Sequence, residues 1–472
     1  MVREAPATTD VVVIGGGPGG LATALFSARR GFEVVLVERD CDPRDESADG
    51  DFEGWRRPGV PQARQSHVFL GLGSRVLAQE APDVMDALLS RGVLQVPVAF
   101  RGLGELKDSE AVNLLSRRLV FEGVLRRAVL REPGVDVLAD DAVTGLTASS
   151  ARPPVVTGVT TEQGRTIGAA LVVDATGRRS PVPTWMAELG AAEPPTSVQQ
   201  LGIQYLTRFY RLRAGAEYPS TVVPLRDDLG YMIALAFAAD NATFSLTLVC
   251  LVNDPLRRAL AEPRVFERVL GAVPLTRPWL DVGDPISPVH PMARIENRWR
   301  RLVDRHGPIA GDFILVGDSS MHTNPTFGRG VSLALTQAQH AADTLDAHDD
   351  ALQYVADHEH WTDQNLGEWF ATQVQGDQAT VERFQATIQR SPLPPPSPGW
   401  AELFVRMRAL APRDEDVAQA LARVWNLLST PTEVMADTNI VQRVEGQWSS
   451  NSPIVPTDGP GRATIEEIVT AS

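Results

Sequence analysis

A run of apolar, mostly β-branched residues near the start of the chain leads directly into a glycine-rich turn. Residues 11–14 are typical of a buried parallel strand, and Gly15, Gly17 and Gly20 follow at the spacing G-x-G-x-x-G. The first glycine permits a tight turn, the second lets the backbone approach a pyrophosphate, and the third lets a helix pack on the strand. A second strand ends at Glu38, close to the ~20-residue offset at which a carboxylate binds a ribose hydroxyl. The pattern predicts a dinucleotide-binding βαβ unit.

A second strand-and-turn motif lies far downstream. Residues 313–316 form another apolar run, Gly317-Asp318 follows its end, and Pro325 and Gly328-x-Gly330 precede a further apolar helical run. This arrangement resembles the second FAD-binding motif of the group A flavoprotein monooxygenases, the p-hydroxybenzoate hydroxylase family. In that family the aspartate binds the ribityl hydroxyls, and the Pro…Gly-x-Gly turn places a helix N-terminus against the isoalloxazine ring. The resemblance implies that the dinucleotide is FAD.

Three further segments match the same family. Arg57-Pro-Gly-Val60 resembles a loop whose arginine reaches the FAD pyrophosphate, and the segment from Arg118 resembles a helix whose first arginine contacts the cofactor. Asp174-Ala-Thr-Gly177 occupies the place of the family's Asp-Gly motif. Thr176 stands where the family usually has the aspartate that precedes this glycine. Asp174 either contacts the cofactor or caps a turn. The residues implied to bind FAD are Gly15, Gly17, Gly20, Glu38, Arg39, Arg57, Arg118, Asp174, Gly317, Asp318, Pro325, Gly328 and Gly330.

The activity implied by the resemblance is oxygen transfer. Residues 57–70, Asp174–Gly177 and Asn324–Gly330 are similar to the flavin epoxidases of bacterial polyether biosynthesis and their relatives in natural-product clusters. In this family NAD(P)H reduces the flavin, and a flavin C4a-hydroperoxide then delivers one oxygen atom of O2. We therefore expect epoxidation or hydroxylation of an apolar, polyketide-type intermediate. No second dinucleotide motif is present, so NAD(P)H acts transiently or a partner reductase supplies reduced flavin.

The order of the motifs predicts an α/β fold in which the FAD-binding domain is split. The segment 1–183 is the first part of a Rossmann-like FAD-binding domain, and 184–300, with longer strand-like alternation, is an antiparallel-sheet substrate domain. The FAD-binding domain resumes over 301–345, and 346–472 is a helical C-terminal region with a loosely ordered tail.

Composition narrows the possible partners. The formal net charge of −15 argues against nucleic acid and anionic membrane surfaces. Only two cysteines occur, too few for a disulfide framework and suited to a reducing cytoplasm. No apolar run reaches the ~18 residues of a membrane span. We expect a cytoplasmic protein acting on a small molecule, and the oligomeric state is left open.

Two alternatives share the fold. Flavin-dependent halogenases use a catalytic lysine and a Trp-x-Trp-x-Ile-Pro segment; here Lys107 is the only lysine and the segment is absent, so this alternative is set aside. A cyclase that keeps FAD as a structural cofactor and catalyses a non-redox reaction stays open, because Thr176 departs from the family motif.

Few side chains are candidates for the reaction itself, since the cofactor carries the chemistry. His67 either faces the cofactor or bonds a loop carbonyl. His322 lies within the second FAD turn, and Tyr205 lies on a predicted strand that can face the substrate or pack in the core. The His358-Glu-His360 segment is expected to be a solvated helix face and not a metal site.

Overall fold

The computed structural model describes residues 7–42, 47–99, 111–223, 225–347, 350–448 and 458–471; Lys107 lies outside them. The strands in chain order are β1 (Thr8–Ile14), β2 (Val34–Glu38), β3 (Leu94–Pro97), β4 (Val112–Leu115), β5 (Val135–Ala139), β6 (Val143–Ala148), β7 (Val156–Thr161), β8 (Thr166–Asp174), β9 (Thr196–Gln200), β10 (Ile203–Leu212), β11 (Arg226–Asp228), β12 (Ile233–Ala238), β13 (Thr243–Leu251), β14 (Gly283–Pro285), β15 (His290–Met292), β16 (Glu296–Arg300), β17 (Val303–Asp304), β18 (Gly307–Pro308), β19 (Phe313–Leu315) and β20 (Met321–His322).

The helices occupy both ends of the chain and the connections between strands. They are α1 (Pro18–Arg29), α2 (Ala48–Gly54), α3 (Gly71–Glu80), α4 (Pro82–Ser90), α5 (Arg118–Arg131), α6 (Val182–Glu188), α7 (Arg257–Leu260), α8 (Pro263–Ala272), α9 (Arg277–Val282), α10 (Gly330–Asp343), α11 (Ala351–Gln389), α12 (Trp400–Leu410), α13 (Glu415–Trp425), α14 (Pro431–Ala436), α15 (Thr438–Gln447) and α16 (Arg462–Thr470), with short 3-10 turns at Gly317–Ser319, Pro325–Phe327 and Leu345–Ala347.

The central sheet is mixed and mostly parallel. Its seven strands run in the order β5-β2-β1-β8-β7-β6, and β19 also pairs in parallel with β8. Strands β1 and β2 are buried along residues 11–14 and 34–38, and helix α1 packs against both of them. The predicted α/β class with a Rossmann-like parallel sheet is therefore confirmed.

A second sheet of six strands is antiparallel and lies above the carboxyl ends of the parallel strands. Its order is β11-β12-β13-β10-β14, with β15 also paired to β10. A smaller sheet, β20-β16-β9, joins the two parts of the molecule. Helices α7–α9 (257–282) were not predicted from the sequence. The domain boundaries at 183, 300 and 345 stay predictions.

Helix α11 connects the two large sheets. It contains 39 residues, roughly 58 Å at 1.5 Å per residue. Near its start the Leu302 N–H donates to Glu359 at 3.0 Å, and near its end the Thr387 hydroxyl donates to the Gly230 carbonyl at 3.0 Å. The helix therefore helps to fix the distance between the parallel sheet and the antiparallel sheet.

Two helices, α3 and α4, lie within the segment Val68–Arg91, because Pro82 begins α4 directly after Ala81. The expectation of a solvated helix face at His358-Glu-His360 was wrong. His358 and Glu359 are buried, so that part of α11 is not a solvated face. Helix α16 follows the tail that was expected to be loosely ordered, of which 449–457 lies outside the described residues.

Within the part of the chain that the structure describes, no helix combines the length and apolar character needed to cross a membrane. No group of three or more His, Cys, Asp or Glu side chains there is placed to hold a metal ion.

Candidate active site

A cavity of about 430 Å³ lies between the carboxyl ends of the parallel strands and one face of the antiparallel sheet. Its volume is within the range of ligand-binding clefts. Gly20 and Asp174 lie behind its wall. The other predicted residues all line it: Gly15, Gly17, Glu38, Arg39, Arg57, Arg118, Gly317, Asp318, Pro325, Gly328 and Gly330, together with the pocket candidates His67, His322 and Tyr205.

The three glycines of the first turn differ in the space that surrounds them. Gly15 has φ +103°, and a Cβ there would lie 2.6 Å from the Ala175 carbonyl oxygen. A Cβ at Gly20 would lie 1.9 Å from the Gly15 carbonyl oxygen, so this glycine is required by helix packing. At Gly17 a Cβ would meet no atom within 4 Å, because the residue faces the cavity. The turn thus leaves an open approach to the N-terminus of α1, where backbone N–H groups favour an anion.

Acidic and basic side chains alternate beside this turn. Glu38 accepts the Gly16 N–H at 2.5 Å, and buried Arg57 lies 3.3 Å from Glu38 and 3.6 Å from Glu122. Burial alone would raise the pKa of Glu38, but Arg57 and two backbone N–H groups lower it overall. The Arg57 guanidinium also donates to the Gly16 carbonyl at 3.0 Å, which fixes it against the turn.

The second turn brings a carboxylate to the cavity beside the first turn, since a Cβ at Gly19 would lie 3.9 Å from the Gly317 Cα. The Gly317 N–H donates to Gln337 at 2.8 Å, and Gly317 has φ +66°. Asp318 lies 3.1 Å from the His322 ring. Burial would raise the pKa of Asp318, but His322, Arg118 and Arg178 lower it overall. The side chain is therefore an ionised hydrogen-bond acceptor at the cavity wall, with the N-terminus of α10 beside it.

His67 is held as a neutral imidazole. Its Nδ1 lies 2.9 Å from the Gln65 carbonyl oxygen, which can only accept, so Nδ1 carries the proton. Its Nε2 then accepts from Arg118 at 3.2 Å. Burial, followed by the Arg118 charge, lowers the pKa of His67 to about 3. His67 therefore lines the cavity while its two nitrogens are both used by the protein.

Asp174 is fully buried below the turn that carries Thr176. It accepts the Thr176 N–H at 2.8 Å and hydroxyl at 2.6 Å, and the Ser180 hydroxyl at 2.5 Å. These bonds hold Thr176 and Gly177 at the cavity wall. Thr176, the departure from the family motif, is thus an internal donor to Asp174.

The roof of the cavity is mainly apolar. It is formed by the antiparallel sheet and by α13, and its apolar residues are Val223, Leu235, Phe237, Met292, Ile295 and Trp425. Tyr205 faces the cavity and donates to Asn324 at 2.6 Å. Tyr210 instead packs in the core against Phe244, with ring centroids 5.1 Å apart.

A buried polar network supports the roof and was not found from the sequence. Asp377 on α11 accepts amide N–H groups from Asn297, Asn324 and Gln373, each at 2.8 Å or less. Burial raises the pKa of Asp377 to about 6. No local pattern marks this residue, because its partners come from distant segments. The network ties Tyr205, through Asn324, to the long helix.

The groups that line the cavity fit FAD in their chemistry. The N-termini of α1 and α10 both reach the cavity, with the open face of Gly17 beside the first and Asp318 beside the second. Positive helix ends with exposed backbone suit a pyrophosphate, and a carboxylate suits polyol hydroxyls. Arg57 and Arg118 also line the cavity, and each is paired with a carboxylate of the protein, Arg57 with Glu38 at 3.3 Å and Arg118 with Glu122 at 2.5 Å.

Comparison with known proteins agrees with this assignment. The family described as FAD-dependent oxidoreductase matches residues 10–128. Protein Rv3254 of Mycobacterium tuberculosis is 25% identical over 371 residues, 72% of this chain and 74% of that protein. Menaquinone reductase of the same organism is 25% identical over 366 residues, 72% of this chain and 78% of that protein.

Solved structures share the fold. A probable FAD-dependent monooxygenase of Pseudomonas aeruginosa, PqsL, matches with a TM-score of 0.59 and 18% identity, over 81% of this chain and 100% of that one. The flavin-dependent brominase Bmp2 matches with a TM-score of 0.58 and 16% identity, over 93% and 100%. The Diels–Alderase PyrE3 matches with a TM-score of 0.56 and 17% identity, over 90% and 81%. One fold thus serves three kinds of chemistry.

Proposed function

We propose that this chain, an FAD-dependent oxidoreductase with the fold of the group A flavin monooxygenases, is a monooxygenase acting on a mostly apolar small molecule. The observation that carries the proposal is the single cavity in which the two FAD-type turns meet an apolar roof. A substrate under that roof lies directly against the cofactor. Epoxidation or hydroxylation of a polyketide-type intermediate is the finer form of the proposal.

The balanced reaction consumes one O2 and one two-electron reductant. One oxygen atom enters the substrate, and the other leaves as water with two protons and the two electrons. Bound FAD, once reduced, supplies the electrons that activate O2. NADH, NADPH or a partner reductase is the proposed electron source.

The side chains contribute binding, orientation and exclusion of water. Arg57 and Arg118 would contribute hydrogen-bond donors to the cofactor, and Asp318 would accept hydrogen bonds from its hydroxyl groups. The apolar roof, including Leu235 and Phe237, keeps bulk water from the reacting face. Because His67 is neutral and both its nitrogens are engaged, it orients the Arg118 guanidinium instead of moving a proton.

A reductase is the second candidate. It is favoured by the similarity to menaquinone reductase over 72% of this chain. A reductase adds two electrons and two protons to its substrate and needs no O2. A cyclase that uses FAD only as a scaffold, the third possibility, leaves the substrate mass unchanged.

One mass-spectrometric experiment separates the three. The FAD-loaded protein is mixed with isotopically labelled O2, NADH or NADPH, and a panel of neutral polyenes and aromatic compounds beginning with all-trans-retinol and indole. A monooxygenase incorporates one labelled oxygen, a reductase adds two hydrogens without label, and a cyclase changes retention time but not mass.

Controls exclude reactions of free flavin. Chemically reduced protein replaces the nicotinamide in one arm, so that failure of hydride delivery is not mistaken for failure of oxygen transfer. At limiting FAD, labelled product should fall in the Gly17→Ala protein and persist in the Gly446→Ala protein, since a Cβ at Gly446 on α15 meets no atom within 4 Å. The monooxygenase proposal would be contradicted if no compound of the panel incorporated labelled oxygen, either with NADH or NADPH or with the chemically reduced protein.

A further inference from the structure

We propose that the roof of the cavity contains a hydrogen-bond acceptor, the Ser66 hydroxyl oxygen, which selects a neutral substrate bearing a hydroxyl or N–H donor. The inference rests on the proposed function only in taking the molecule that occupies the space under the roof, beside the cofactor, to be the substrate. It concerns which substrates bind, not what happens to them.

The acceptor belongs to a row of polar groups on an otherwise apolar face. Thr207 on β10 pairs directly with Thr247 on β13, and Thr247 pairs with Leu235 on β12. Side chains at paired positions share one face of a sheet, and all three line the cavity. Ser66, from the loop before α3, lies 2.7 Å from Thr247 and 2.8 Å from Ser245.

One carbonyl group fixes the direction of every hydrogen bond in the row. The Gln65 amide nitrogen donates to the His290 carbonyl at 3.1 Å, and a carbonyl can only accept. The amide oxygen of Gln65 must therefore face Thr207, whose hydroxyl donates to it at 2.8 Å. Thr207 has a single hydroxyl proton, so it cannot also donate to Thr247.

The remaining protons follow in sequence. Thr247 must donate to Thr207 at 2.7 Å, because the Thr207 proton is already used. Ser66 then donates to Thr247, and Ser245 donates to Ser66. Every hydroxyl proton in the row is used within the protein, and what is left on each oxygen is a lone pair.

Ser66 is the member of the row that a ligand can reach. It is partly exposed, whereas Thr207, Thr247 and Ser245 are buried. The chain of donors beyond Ser66 polarises its hydroxyl and makes its oxygen a better acceptor. A hydroxyl or N–H group can satisfy that oxygen, but an ether or carbonyl oxygen cannot.

The charges around the cavity indicate a neutral ligand. The charged side chains that line it, such as Arg57, Arg118, Arg178 and Asp318, all come from the side of the parallel sheet. The lining residues that the structure describes between 205 and 295, and at 425, are uncharged. An ionised substrate group under this roof would lose its hydration without an opposite charge to replace it.

Matched ligand pairs test the inference without any turnover. The oxidised, FAD-loaded protein is titrated with indole and N-methylindole, and with cyclohexanol and cyclohexyl methyl ether, following the flavin absorbance. Each donor should bind about tenfold more tightly than its methylated partner, as expected for one additional hydrogen bond to the remaining lone pair of the Ser66 oxygen. Equal affinities within both pairs, including no binding of any of the four, would overturn the proposal.

Two variants connect the preference to the row. Ser66→Ala should remove the preference. Thr247→Val, nearly equal in shape, should free the Ser66 proton and move the preference toward the ether. The matched control is Leu235→Ile on the same face, which should change both members of a pair alike. A preference for donors that survives Ser66→Ala would refute the assignment to this oxygen. Absence of labelled product with an intact donor preference would refute the monooxygenase proposal alone.

Discussion

Replacing Gly17 with alanine should weaken FAD binding while the fold stays intact. Gly17 has φ −81° and ψ 176°, which an alanine adopts freely, and its Cβ would meet no protein atom within 4 Å. Alanine is a poorer helix N-cap than glycine, so the apoprotein should lose at most about 1 kcal/mol of stability.

The cofactor should carry nearly all of the cost. The added methyl group occupies the space through which the backbone at Gly17 approaches a pyrophosphate. A hydrogen bond to a charged group contributes about 1.5–3 kcal/mol. Loss of one such bond raises the dissociation constant of FAD roughly 10- to 150-fold.

The assay pairs two measurements on apoprotein: FAD titration followed by tryptophan fluorescence, and thermal unfolding. Gly20→Ala should unfold at a clearly lower temperature, because its Cβ would lie 1.9 Å from the Gly15 carbonyl oxygen. Gly446→Ala should leave FAD affinity unchanged. A Gly17→Ala protein that binds FAD with wild-type affinity would refute the placement of the pyrophosphate at this turn.

Three further substitutions test the surrounding structure. Burial raises the pKa of Glu359 from 4.5 to about 7. The protonated side chain therefore contributes fully to stability below pH 4.5, and about 3 kcal/mol of this contribution is lost as the pH rises through 7. The thermal midpoint of Glu359→Gln should rise relative to that of the wild type as the pH increases, and a relative fall would contradict this. Tyr205→Phe removes the donor to Asn324 and should cost about 1 kcal/mol in urea unfolding, whereas an unchanged midpoint would show that this bond contributes nothing. Arg117→Met leaves the buried Asp240 carboxylate unpaired and should cost about 3–5 kcal/mol, more than Arg117→Lys; equal losses would argue against the ion pair as the cause.

The parts of the site that sequence could predict are those in which one short segment carries the whole geometric requirement. Gly15 and Gly20 each meet a constraint imposed by atoms of the same βαβ unit or of the segment after the neighbouring strand, whereas Gly17 faces the open cavity. The turn at Gly317-Asp318 likewise follows its own strand. Such motifs can be recognised in a sequence because residues that are close along the chain are also close in the folded structure.

The rest depends on pairings between distant segments. The sequence of helix α5 alone gives no reason to bury its arginines, yet Arg118, Arg126 and Arg127 are buried. Arg127 is buried because Asp51, 76 residues away, accepts two of its N–H groups. Asp377 reaches its three amide partners only because α11 crosses the roof. Charge periodicity on one helix says nothing about an acid supplied by another segment.

The insertion of β19 beside β8 has a consequence for how the protein is made in the cell. Asp174 and Ser319 are in contact across the sheet although 145 residues separate them. Since a chain emerges from the ribosome N-terminus first, the first glycine turn is complete long before Asp318 and Gly330 exist. FAD therefore cannot act as an early folding template, and β8 waits with an open edge, which is prone to pairing with other chains. Flavin loading becomes a late event of maturation, and the nascent first half must stay soluble without it.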